Sequence, residues 1–245
     1  MVQVFSFCLY GPENPYYYHG MLENLELIQK HFPGWKVYIY LGSDVPDHTR
    51  ERLASYPFVV LHETGVTGPK TMAYRFFAID DPDVEIMLVR DADSRIHWKD
   101  RWAIREFLRQ PQYTGHAIRD NVVHKIELCG GLWGMRKIPD LSIRILHEAH
   151  SDEWIAHGYP YVLGYDQAFL RTCVYPYLVS HKLLIHYSNG CLLKGEQGVE
   201  FPFRWSKETF CGRGEDKPFV DVPEPPRPAK TILDQLPRGT LSFVK

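Results

Sequence analysis

The sequence predicts an α/β fold: a central, mostly parallel mixed sheet flanked by helices. Three observations predict it. Apolar and aromatic runs alternate with segments of helical spacing through the first half, an order that implies parallel strands joined by crossovers. Those runs are apolar throughout their length, as strands buried on both faces are. The chain has 245 residues, 44% hydrophobic and 24% charged, long enough to bury the core such a sheet needs.

The elements follow in order. Residues 2–10 form a strand and 12–20, rich in Pro, Asn and Gly, a loop. Met21–His31 has helical spacing and is stopped by Pro33-Gly34. Strands at 35–42, 58–63 and 85–90 alternate with helices at 47–55 and 71–79. The middle is mixed: a helix at 98–110, strand-like segments in "GHAIRD" and "LCGGLWGMRK", and helices over 143–157 and from "YDQAFL" onward. A late strand covers 181–188. Residues 1–221 are expected to form one domain, and 222–245, opening on "VPEPPRPAK", a proline-rich tail.

A net charge of −2 argues against generic binding to nucleic acid. Five widely spaced cysteines without a C-x-x-C read as free thiols of a reducing compartment. The N-terminus reads as a strand and not a signal peptide, and no run approaches the roughly 18 apolar residues of a membrane span. The expected location is the cytoplasm, or a host's cytoplasm if the protein is viral.

The sharpest feature is "EIMLVRDADSRIHW" (85–98). An apolar strand ends abruptly in charge. In extended chain, residues i and i+2 share a side, so Asp91 and Asp93, with Ala92 between, can converge on one point. Two close carboxylates repel unless a proton or cation lies between them, and Mg2+ or Mn2+ sites combine one or two carboxylates with substrate phosphates. Arg90 and Arg95 could meet phosphate oxygens. Ligands of open parallel sheets bind beyond the strands' carboxyl ends, where this pair lies. A bare D-x-D is also common in solvated loops.

Further segments extend the pattern: "TMAYRFFAIDDPDVEIMLVRDADS" (71–94), "LCGGLWGMRK" (128–137), "YDQAFL" (165–170) and "LLIHYSNGCLLK" (183–194). In this order they resemble the motifs of nucleotide-sugar glycosyltransferases of GT-A (Rossmann-like) fold, most of all the retaining glycogenin and lipopolysaccharide-galactosyltransferase family. "RDADSR" with "HAIRD" and "GGLWGMRK" also resembles bacterial and viral envelope-glycan transferases. The resemblance spans about residues 1–195. It departs from the family at Cys129, where Asn is usual, in a His-to-Gly spacing one residue longer, and in the missing Pro-Trp after Lys194.

The resemblance implies transfer of a hexosyl or deoxyhexosyl group from a UDP- or GDP-linked sugar to a hydroxyl of a glycan acceptor, with Mn2+ (or Mg2+). It implies Asp91, Asp93 and His186 as metal ligands and Lys194 as a diphosphate contact. Arg75 would reach the pyrophosphate or base, Tyr74 would pack on the nucleotide, and Leu9, Tyr10 and Asp44 would meet the nucleoside. Gly130 and Gly131 would let backbone approach the donor. Asp166 and Gln167 would lie under the anomeric carbon, Trp133 would line the acceptor side, and Arg119 and Asp120 are second-line candidates for donor or acceptor contact. Structural alternatives stand beside each: a structural His186, a surface Lys194, a core Tyr74 and Trp133, a plain glycine turn, a helix N-cap at Asp166, a surface pair at Arg119 and Asp120. Rival functions are inverting transfer with Asp166 as base, a metal-dependent phosphohydrolase with Asp91 as nucleophile, and a non-catalytic nucleotide-sugar binder.

Overall fold

A computed structural model describes residues 1–158, 164–214 and 220–221. The expected tail, 222–245, lies outside the described residues.

Eight strands form one sheet: β1 (Val2–Leu9), β2 (Lys36–Leu41), β3 (Val59–Glu63), β4 (Val84–Arg90), β5 (Gly115–Arg119), β6 (Leu132–Arg136), β7 (Leu183–Tyr187) and β8 (Val199–Glu200). Their spatial order is β3-β2-β1-β4-β6-β5-β7-β8. Only β6 is antiparallel to its neighbours, β4 and β5; the other pairs are parallel. This is the expected mostly parallel mixed sheet. The chain winds outward from β1 through β2 to β3, then returns to set β4 on the other side of β1. That reversal opens a crevice between the carboxyl ends of β1 and β4, the place where open α/β sheets hold ligands.

Helices cover both faces: α1 (Pro15–His31), α2 (Asp47–Ala54), α3 (Trp98–Leu108), α4 (Ile143–Ala156), α5 (Tyr165–Phe169) and α6 (Tyr175–Ser180), with a 3₁₀ helix at Gly68–Asp80. Strand side chains alternate between two cores. Phe5, Phe7, Ile39 and Leu88 pack with Met21, Leu25 and Ile28 of α1 and Phe107 of α3. Val4, Met87, Val89 and Trp133 pack with Phe76 of the 3₁₀ helix, Ile143 of α4 and Phe169 of α5.

Three local outcomes differ from the sequence expectation. The loop expected at 12–20 becomes helix from Pro15, because Asn14 caps the end (its Oδ1 accepts from Tyr16 N at 3.0 Å) and a proline suits the first turn. The helix expected at 71–79 is 3₁₀, whose triplet spacing stacks Ala73, Phe76 and Ile79 as one buried row. Between α5 and α6 lies a π-helical turn, Leu170–Val174. It lies one residue before Pro176, which cannot donate to the carbonyl four residues back and crowds it; the wider turn makes room.

A buried imidazole pair lies between the sheet and α3. His116 Nε2 and His186 Nδ1 are 2.9 Å apart, enclosed by Trp102, Phe107 and Phe201. Burial lowers both pKa values: His186 falls from 6.5 to about 3, and His116 falls well below 6.5, helped by His186 and Arg90. The folded state therefore holds both neutral, while the unfolded chain protonates them below about pH 6.5. Stability is fully present above that pH and is lost as pH falls, by about 1.4 kcal/mol per pH unit for each imidazole. We expect chemical denaturation from pH 7 to 5 to show this loss, and the double variant His116→Gln/His186→Gln to have a flatter profile. An unchanged slope would contradict the neutral pair.

Candidate active site

β4 ends at Arg90, and the chain crosses the mouth of the β1/β4 crevice as Asp91-Ala92-Asp93, not as the extended chain expected but as a turn in which Ser94 N donates to the Asp91 carbonyl at 3.4 Å. The 3₁₀ helix brings Arg75 from one side and α5 brings Asp166 and Gln167 from another. The Arg75 guanidinium bridges two carboxylates: Nη1 donates to Asp91 Oδ1, and Nη2 to Asp166 Oδ2 at 3.2 Å. The side chains of Arg75 and Asp166 are 6% and 5% exposed, whereas Asp91 is 40% exposed. Burial alone would lower the Arg75 pKa, but Asp91, Cys8 and Asp166 outweigh it and the net shift is upward. Arg75 stays charged.

The second oxygen of Asp166, Oδ1, accepts from Gln167 N at 3.0 Å. With its amide oriented to satisfy both neighbours, Gln167 donates to the Leu128 carbonyl at 2.8 Å and accepts from Gly130 N at 2.7 Å. The two glycines before β6 are required by this packing. A Cβ on Gly131 would stand 2.1 Å from Asp91 Oδ2, and one on Gly130 2.6 Å from Arg75 Nη2 and 2.7 Å from the Gln167 amide.

Asp93 is half-buried, and its pKa rises from 3.8 to about 6, first through burial and then through the charge on Asp91. Tyr17, at the start of α1, lies near enough for Asp93 and Asp91 to add to the upward push that burial gives its phenol. Two half-buried carboxylates whose charges repel suit a divalent cation, which relieves the repulsion and prefers oxygen ligands. Among the described residues, no group of three His, Cys, Asp or Glu could hold a metal. A cation bound there would meet two protein carboxylates, with its remaining positions left to substrate and water.

His186 belongs to another part of the molecule. Across the sheet, Arg90 pairs with Leu132, and Ile118 with His186, so these side chains share the α3 face. Asp91 follows one residue later, on the side of the 3₁₀ helix. Three inter-strand steps, about 14 Å, separate β4 from β7. His186 is fully buried against Trp102, so it does not reach the carboxylates. The expectation of a third ligand there is corrected.

Arg90 is corrected for the same reason. Adjacent strand residues face opposite ways, and Arg90 is buried on the α3 side, where Nε and Nη2 grip Asp100 at 3.0 and 2.8 Å. Arg95 is likewise committed, to Glu23 at 2.6 Å and the Asp93 carbonyl at 2.6 Å. Neither arginine is open to phosphate. Arg119 pairs with Glu196 and donates to the Glu127 carbonyl at 2.8 Å. Asp120 is buried and accepts from Lys99 Nζ at 2.6 Å and Cys211 N at 2.9 Å. These are internal pairs, not surface ones. Trp133 is fully buried core, and Tyr74 sets its ring against Phe77. Lys194 is exposed on the loop after β7, at the same end of the sheet as Asp91.

On the far side of β1, Leu9 is buried and its carbonyl accepts from Gly42 N at 2.9 Å. Asp44 Oδ2 accepts from Gly68 N at 3.1 Å, while Asp44 Oδ1 and Thr71 Oγ1 are buried without a partner among the described residues. A Cβ on Gly42 would lie 2.4 Å from Asp44 Oδ1, 2.8 Å from Tyr10 Cβ and 3.2 Å from Thr71 Oγ1. Sequence reasoning named Tyr10 and Asp44 but missed Gly42 and Thr71; a glycine just past a strand was the available signal.

No family model and no curated protein matches the chain. Solved structures similar to it include S. aureus TarS in complex with UDP, at 13% identity and TM-score 0.48, covering 82% of this chain and 61% of that one. Another is the 4-diphosphocytidyl-2C-methyl-D-erythritol synthase of Anaerococcus prevotii, at 8% and 0.47, covering 79% and 90%. A third is a glycosyltransferase involved in glycosylation of the major capsid of PBCV-1, at 16% and 0.44, covering 76% and 81%. At these identities and scores the likenesses carry no functional argument.

The Arg75 bridge yields a stability prediction. Arg75→Met leaves Asp166 buried without its counter-charge, and breaking such a pair costs about 3–5 kcal/mol. Denaturant unfolding should show a loss of that order, partly recovered in Arg75→Met/Asp166→Asn. A loss below about 0.5 kcal/mol would contradict the bridge.

Proposed function

We propose that this chain is a GT-A-fold glycosyltransferase that moves a hexosyl or deoxyhexosyl group from a UDP- or GDP-linked sugar to a hydroxyl of a glycan acceptor, with Mn2+ or Mg2+ bound. One observation carries the reading: a two-carboxylate motif crosses the mouth of the crevice at the sheet's topological switch point, with Asp93's proton affinity raised by burial and then by its neighbour's charge. Such a place suits a ligand that brings its own phosphates and a cation.

Asp91 and Asp93 would hold the cation. When bound, it supplies Lewis-acid stabilisation of the charge that builds on the departing nucleoside diphosphate. The rest is done by the chain's own groups. The orphan oxygens Asp44 Oδ1 and Thr71 Oγ1, beside Tyr10 and Gly42, would take the polar edges of the nucleoside. Lys194 at the same end of the sheet would meet the diphosphate. Gly130 and Gly131 would let the donor sugar lie close to backbone. Gln167, its amide fixed between Leu128 and Gly130, would present a stationary dipole to the anomeric carbon. A cleft of about 190 Å³ between Glu127 and Arg171 opens against Gln167 and would admit the acceptor hydroxyl.

The bonding of Asp166 supports retention of configuration. One of its oxygens receives Arg75 and the other Gln167 N, so the carboxylate is committed to orienting neighbours. An inverting enzyme would need that carboxylate free to take the acceptor's proton. The envelope-glycan motifs support a surface or viral glycan as the acceptor.

A thermal-shift screen of UDP- and GDP-sugars with and without Mn2+ tests the assignment. At about a hundredfold excess over Kd, a donor should raise Tm by about 5–10 °C, only with Mn2+. Asp91→Asn and Asp93→Asn should each abolish that rise and the transfer of radiolabelled sugar. Phosphate release from simple esters without sugar transfer would favour a phosphohydrolase instead, and unchanged nucleotide binding in both variants would overturn the site.

A further inference from the structure

The D-x-D loop takes its shape from a helix about 70 residues earlier in the chain. On α1, Gly20, Glu23 and Asn24 fall at i, i+3 and i+4 and so share one face. That face lies against Ala92–Ile96. Asn24 is fully buried, and its amide reads the loop's backbone at three places: Nδ2 donates to Ser94 O at 2.9 Å and Ala92 O at 3.4 Å, and Oδ1 accepts from Ile96 N at 3.1 Å. Glu23 holds Arg95, whose Nη1 donates to the Asp93 carbonyl at 2.6 Å. Gly20 makes the approach possible, since a Cβ there would stand 2.1 Å from the Ala92 carbonyl. The carbonyls of residues 92, 93 and 94 are thus all occupied by α1 or by an arginine anchored to it.

We propose that Asn24 is a positioning residue for cation binding: it fixes the backbone of Ala92–Ile96 so that the carboxylates of Asp91 and Asp93 stand ready at one point. It touches neither cation nor donor and acts only through the loop. A carboxylate pair on an untethered loop would have to be ordered by the cation itself, at a cost in affinity, and residues that orient ligands from behind are typically worth about 10–100-fold in metal affinity. The inference rests on the proposed reading of Asp91 and Asp93 and adds to it where their geometry comes from.

The test compares Asn24→Leu, which keeps the branched heavy-atom shape and loses all three hydrogen bonds, with Gly20→Ala, which removes no donor or acceptor and pushes on the Ala92 carbonyl. Two readouts are taken on folded protein well below Tm: hydrogen exchange of peptides spanning 91–97, and Mn2+ affinity by electron paramagnetic resonance with UDP or GDP present. Both variants should exchange faster in 91–97 while the strands keep their protection, and should bind Mn2+ about tenfold more weakly. Should Asn24→Leu not fold, Gly20→Ala carries the same test. Unchanged exchange in 91–97, or faster exchange with Mn2+ affinity equal to the unsubstituted protein, would overturn the positioning role. No Mn2+ binding by the unsubstituted protein with either nucleotide would overturn the functional reading, and the role for Asn24 built on it; the exchange data, which need no metal, tell that failure from the first.

Discussion

One buried guanidinium sets the site. Arg75 holds Asp91 on one side and Asp166 on the other, and so ties the carboxyl end of β4 to the start of α5. The glycines at 130 and 131 follow from it, because any side chain there would occupy the space of the bridge. The amide of Gln167 is fixed by the backbone those glycines leave accessible. Nucleotide chemistry at this rim, as proposed, would use what the bridge leaves over: the Asp91 oxygen that Arg75 does not hold, and Asp93. Burial strengthens the Arg75–Asp166 arm of the bridge, since a charge pair screened from water interacts through a lower effective dielectric, while the Asp91 arm stays in reach of solvent.

The opposite face of the sheet treats charge differently. There Arg90 grips Asp100, Lys99 grips Asp120, and the carboxylate of Asp120 also receives the Ser188 hydroxyl and the Cys211 amide. These groups are dry and fully partnered by one another. Their effect is structural: the Asp120 carbonyl also receives Trp205 Nε1 at 2.6 Å, which fastens the segment after β8, and in that segment Gly214 pairs with Ser94. The D-x-D loop is therefore held from two sides, by α1 and by this strap.

How much of this is legible in the sequence depends on range. Strands β1 to β7 are, because an apolar run of five to eight residues needs no partner to be recognised, whereas the two-residue β8 carries no such run. The position of the carboxylate pair at a strand's carboxyl end follows from the same runs. Arg90 was misjudged although the signal was there: strand alternation sends the neighbour of Asp91 to the other face. His186 was misjudged because nothing local tells which strands separate two chain segments, and the antiparallel β6 and then β5 stand between β4 and β7. Asn24 and Thr71 were invisible since their meaning lies wholly in long-range contact. The start of α1 could have been read, as Asn-Pro is a cap followed by a favoured first residue.

The central claim is that Asp91 and Asp93 together hold a divalent cation against a nucleoside diphosphate. Anomalous diffraction at the manganese edge, from crystals grown with Mn2+ and UDP or GDP, addresses it most directly. The account predicts a single strong peak bonded to oxygens of both carboxylates, with the nucleoside lying toward Tyr10 and Asp44. A peak elsewhere, or nucleotide bound with no metal between the two aspartates, would contradict it.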